Sequence, residues 1–189
     1  MNPADFIFSG NAKPEYWLCK AGDLGRAAMV INQQMIEDIK DNERIKIKCR
    51  LEKKNITRYQ PNLRNIGIML ECLSLEVLLK GLYVFDHPEC YNTGELKYIK
   101  THNIEKLMNK NGFGNLSDEE KQFCETATDF IETYGKYSIP SNAQKMKSYD
   151  IIGGNFTKNH KKLFNEVLRK TEEKLRVGEL TEYGLGYLM

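Results

Sequence analysis

Apolar positions recur at steps of three and four along most of the chain, and one stretch is apolar almost all the way round. Between Asn62 and Phe85, Leu63, Ile66, Leu70, Leu73, Val77 and Val84 form one stripe, and Ile68, Leu75, Leu79 and Leu82 form a second. The segment therefore predicts a central helix that packs on two faces at once. A third stripe on it is polar. Asn65, Cys72, Glu76, Lys80 and Tyr83 share a face, with Glu76 four residues before Lys80, the order that favours an ion pair along a helix.

The rest of the chain predicts shorter elements around this one. Trp17, Ala21, Leu24, Ala28, Ile31, Met35 and Ile39 mark a first amphipathic helix, in which Gly22 and Gly25 each lower helix propensity by roughly 1 kcal/mol and allow close approach of a neighbour. Trp17 reads as a core anchor. In Arg44–Glu52, Ile45, Ile47, Cys49 and Leu51 alternate with charged residues, a period of two that suits a short half-buried strand or an irregular connector. Pro61 suits the first turn of the central helix, and Asp86, His87, Pro88 and Asn92-Thr93-Gly94 end it. Ile104, Leu107 and Met108 make a short helix with Thr101, His102 and Asn103 at its start and Asn111-Gly112 at its stop. Ser117 followed by Glu120 is a capping box that opens a helix carrying Phe123, Ala127, Phe130 and Tyr134. Phe164, Leu168, Thr171 and Leu175 share a face on a last helix ended by Gly178. The expected fold is all-α: one domain over 1–189, with a core of about 17–177, an apolar tail over 178–189, and a short strand or irregular insertion near 44–52.

Composition narrows the classes. With 189 residues, 41% of them hydrophobic, the chain can bury one sizeable core. A formal charge of +2 sets up no global field that forces a nucleic-acid or membrane reading. The most apolar stretch is interrupted by Glu76 and Lys80, and the N-terminus lacks a basic and apolar leader. Five widely spaced cysteines without a Cys-x-x-Cys pair argue against a disulfide framework or a zinc site. A cytoplasmic protein with no membrane span, metal or cofactor is expected.

Local charge changes that picture at one place. Arg44, Lys46, Lys48, Arg50, Lys53, Lys54 and Arg58 form the one basic segment, which reads either as a phosphate-contacting arm or as a solvated edge. Catalytic motifs are otherwise missing: no phosphate-binding Gly-rich loop, no nucleophile elbow, no His-Glu-x-x-His. Of the three histidines, His87 and His160 read as isolated surface or capping residues. His102, at a helix start beside the central helix, is placed to meet Glu76 and Lys80 in one cleft or, more plainly, to tie two helices together.

The residues so placed resemble a HEPN domain, the helical module named for higher eukaryotes and prokaryotes nucleotide-binding. The resemblance spans about Trp17 to Pro140. It rests on Ala21, Leu24, Ala27 and Ala28 in the first helix, on Met69-Leu70 and Leu75-Glu76-Val77-Leu78-Leu79-Lys80-Gly81 in the central one, on Thr101-His102-Asn103-Ile104, and on Tyr134-Gly135-Lys136-Tyr137-Ser138-Ile139-Pro140. It implies an up-and-down bundle of four or five helices, commonly a homodimer, among relatives that include metal-independent ribonucleases, antitoxin-paired proteins and non-catalytic RNA-binding modules. Catalytic members carry Arg, four to six residues, then His, and no histidine here follows an Arg at that distance. Lys136 also replaces an Arg of the family's Gly-Arg-Tyr-Pro step.

The resemblance therefore implies a non-catalytic module that binds RNA, a nucleotide or a protein partner, such as an antitoxin-type nucleotidyltransferase, in a bacterial or phage regulatory or defence setting. Its ligand-binding residues would be Glu76, Lys80, His102, Lys136 and Tyr137. The alternatives are a ribonuclease using His102 with Lys80 or Lys136, and a purely structural or interaction protein. The tail over 178–189 is expected either to complete the core or to form a dimer interface.

Overall fold

The computed structural model describes residues 13–55, 63–89, 99–134 and 154–175. Five α-helices carry these residues: α1 (Pro14–Leu51), α2 (Arg64–Asp86), α3 (Ile104–Lys110), α4 (Asp118–Asp129) and α5 (Gly154–Leu175). α4 continues into a π-helical turn, Phe130–Tyr134. There is no strand among the described residues.

α2 is the axis of the bundle because it is apolar on most of its circumference. Leu75, Leu78, Leu79, Leu82 and Val84 have no solvent exposure, and the helix touches every other described helix. α1 packs against it most extensively and runs antiparallel. Ser74 Oγ donates to the carbonyl of Ala21 at 2.8 Å, and Gly67 lies against Ile31 and Asn32. The small buried residues Ala21, Gly22, Gly25 and Ala28 let the two helices approach.

The remaining helices close the core from the other side, and their ends are set by local chemistry. Asn103 caps α3, its side chain accepting from Lys106 N at 2.7 Å, and Gly112 stops it at φ 80°. Ser117 and Glu120 form both bonds of the capping box that opens α4. On α5, Phe156, Leu163, Phe164, Val167 and Leu168 are buried, with the Phe156 ring 4.8 Å from that of Phe123 on α4. No described helix is long and apolar enough to cross a membrane.

The expected strand near 44–52 is not formed; α1 continues through it to Leu51. Alternation of apolar and charged residues also places apolar pairs four apart. Ile45 and Cys49 share a half-buried side of the helix while Ile47 and Leu51 share an exposed one. Lys, Arg and Glu are good helix formers, and extending an existing helix needs no new nucleus. Lys48 and Arg50 also stand in the last turn, where positive charge favours a helix end. The apolar tail over 178–189 lies outside the described residues.

Candidate functional site

Glu76 is the polar centre of the structure. It sits on α2 among fully buried leucines and is 3% exposed. One turn further on, Lys80 sends its ammonium to Glu76 Oε1 at 2.5 Å, with 12% of its own side chain exposed. Burial of this pair is tolerable because each charge has its partner; a lone carboxylate at that depth would carry a desolvation cost of several kcal/mol.

His102 reaches the same carboxylate from the turn before α3. Its Nδ1 lies 3.0 Å from Glu76 Oε2 and 3.2 Å from Oε1. An ionised carboxylate only accepts, so Nδ1 carries the proton and donates. The ring is held there by its neighbours in sequence. Thr101 Oγ1 accepts from Asn103 N at 3.1 Å, Ile104 is fully buried, and Ile104 N donates to Thr128 Oγ1 on α4 at 3.0 Å. Nε2 makes no hydrogen bond within the described residues, and 47% of the side chain is open to solvent. The arrangement resembles a general base in form, with one ring nitrogen fixed by a carboxylate and the other at the surface.

The structure thus brings together Glu76, Lys80 and His102. Lys136 and Tyr137 lie outside the described residues. Further along the same side of α2, the Tyr83 ring is 4.3 Å from that of His87, and Lys110 Nζ stands 5.1 Å from the Tyr83 centroid. His87 also pairs with Glu89 at 3.0 Å. Beside His102, between the start of α3 and the outer side of α4, opens a groove of about 370 Å³ whose lining includes Glu105, Asp118, Lys121, Glu125 and Asp129. Its charged lining is acidic but for Lys121, which disfavours a phosphate at that edge of the site. Burial pushes the Cys124 thiol, also on the groove wall, up to about 12, with the carboxylates of Glu105 and Glu120 adding to the effect. No group of His, Cys, Asp and Glu suited to hold a metal occurs among the described residues.

The predicted nucleic-acid residues occupy the far end of α1. Arg44, Lys46, Lys48 and Arg50 lie on its last two turns, and Lys53 and Lys54 follow directly. Arg44 pairs with Asp41, Lys46 with Glu43 and Lys54 with Glu52. Lys48, Arg50 and Lys53 are exposed and form no ion pair among the described residues. Arg58 lies outside them.

Two further polar ties have no counterpart in the sequence reading. Asn32 Nδ2 on α1 donates to Glu71 Oε1 on α2 at 2.7 Å, and burial holds the Glu71 carboxyl above the usual range. His160 is no surface residue: it is 8% exposed, packs between Phe123 and Phe164, and its Nε2 donates to the carbonyl of Glu71 at 3.1 Å. Burial holds its pKa down to about 4. The signal available for both was spacing on α5 and α1 relative to α2, which becomes readable only once the helices are docked. Comparison with protein-family models, with curated proteins and with solved structures returns no match.

Proposed function

We propose that the chain is a non-catalytic, HEPN-like helical module that binds RNA through the basic end of α1, in a bacterial or phage regulatory or defence setting. The observation that carries this reading is how the cations are used. Lys80 and His102 both converge on the one buried carboxylate of Glu76, next to an acidic groove, whereas Lys48, Arg50 and Lys53 stand exposed with no ion pair among the described residues. An ammonium committed to a buried carboxylate does little for a phosphorane-like charge, while exposed cations exchange counterions for phosphates.

The test is binding of a labelled single-stranded RNA to the full chain as salt is varied. Affinity should fall steeply with salt, and Lys48→Ala with Lys53→Ala should weaken binding and reduce the logarithmic salt slope by about 1 to 2. Absence of binding at low salt, or indifference to the double change, overturns the proposal. A second reading, a metal-independent ribonuclease, is favoured by the exposed ring of His102 held at Nδ1. It requires RNA turnover that survives a chelator and is abolished by His102→Ala.

A further inference from the structure

The far half of α1 carries exposed apolar residues that no described helix covers. Gly67 packs against Asn32, and α2 begins only three residues earlier at Arg64, so in this antiparallel pair roughly the last 16 residues of α1, about 24 Å, run past the start of α2. Here the half-buried side is Met35, Asn42, Ile45 and Cys49, together with buried Asp38. On the other side Val30, Ile36, Ile47 and Leu51 are 69%, 45%, 57% and 80% exposed. Ile47 and Leu51 stand one turn apart and Ile36 about three turns earlier on the same side, so exposed apolar residues sit at both ends of this stretch with charged residues between them.

The spacing on this side has the form of a seam. Gln33, Ile36, Lys40, Glu43, Ile47 and Arg50 follow one another at steps of three and four, the positions that would face a paired helix, with Ile36 and Ile47 apolar and the other four polar or charged. The seam is also self-complementary when reversed. Turned about a two-fold axis between Asp41 and Asn42, Ile36 falls opposite Ile47, and Lys40 opposite Glu43, each twice. On the flank, Val30 falls beside Leu51 and Glu37 beside Arg44. Apolar residues meet apolar ones, and every charged pair named is of opposite sign.

We propose that a second copy of this chain docks here, the two α1 helices pairing antiparallel in this register. A two-fold contact uses one patch on both copies, so its residues must complement themselves. The charge order along this seam meets that condition. In a parallel pairing Lys40 would meet Lys40 and Glu43 would meet Glu43, so the same charges also select direction. Arg50 is common to this seam and to the basic end of α1, but Lys48 and Lys53 are not seam positions, so the variants that test RNA binding leave the seam intact.

Sedimentation of the full chain over a range of concentrations tests it. The protein should be a dimer. Lys40→Glu or Glu43→Lys alone should weaken the dimer by about tenfold or more, and the two together should restore it, while the helical signal stays unchanged. A monomer throughout, a dimer indifferent to both single reversals, or a double variant that fails to recover overturns the proposal. Should a reversal unfold the chain, cross-linking decides. With Cys19, Cys49 and Cys90 replaced by Ser, Ile36→Cys plus Ile47→Cys should form an interchain disulfide that neither forms alone. A disulfide-linked dimer from Ile36→Cys by itself would mean a parallel pair and sink the register.

Discussion

A Cβ placed on Gly81 of α2 would stand 2.8 Å from the Cβ of Trp17 on α1. A Cβ moves only with its backbone, so Gly81→Ala has to push the two helices apart. The expected loss is about 1–3 kcal/mol, read as a lower urea midpoint at unchanged slope. Gly67 is the control. A Cβ there meets the Oδ1 of Asn32 at 2.3 Å, the end of a side chain that can swing away. Gly67→Ala should be nearly neutral, the lost bond to Glu71 being offset by better helix propensity. Equal losses at both sites would contradict this account of the α1–α2 contact.

Removing the carboxylate at Glu76 leaves Lys80 a half-buried cation without its partner. Glu76→Gln should therefore cost about 3–5 kcal/mol in denaturant unfolding. Glu76→Met with Lys80→Met, which removes both charges and keeps volume, should recover most of that. His102→Ala should cost less than either, since nearly half of that side chain is in water. A double variant no more stable than Glu76→Gln alone would show that the pair contributes more than mutual compensation.

His160 gives the fold a pH dependence whose sign follows from its burial. Its folded pKa of about 4 lies below the ordinary 6.5. The unfolded chain thus takes up the proton first, and the stabilisation, fully present above pH 6.5, is lost as pH falls toward 4. The loss approaches about 3 kcal/mol. His160→Gln keeps a donor for the Glu71 carbonyl and does not titrate, so it should flatten stability over that window. The carboxylate of Glu120, held below its usual range by Lys162 and the Ser117 amide, acts in the same direction only at lower pH, below about 4.5.

Features that depend on residues within a turn or two of each other were legible in the sequence. The Glu76–Lys80 pair and the Ser117–Glu120 box each follow from spacing along one helix, and both are present. The meeting of His102 with Glu76 was one of two readings open at that helix start, the plainer one being a helix-start hydrogen bond that ties two helices together. Features that depend on docking were not legible. His160 looked isolated because the phenylalanines and the carbonyl that bury it come from α4, α2 and its own helix at once. The period of two over Ile45–Leu51 was ambiguous in itself, and the length of α1 before it decided the outcome. Nothing in Phe130–Tyr134 distinguishes a π-helical turn from one more turn of α-helix.

The central position of α2 has a kinetic consequence. Since it touches every other described helix, its amides cannot open to solvent while any neighbour stays fully docked. In hydrogen–deuterium exchange, Leu75 to Leu82 should form the slowest class and exchange only through global unfolding. In the monomer the stretch Ile36–Leu51, beyond the reach of α2, should exchange by fraying from its own end and so report a separate and faster clock, one that pairing with a second copy should slow.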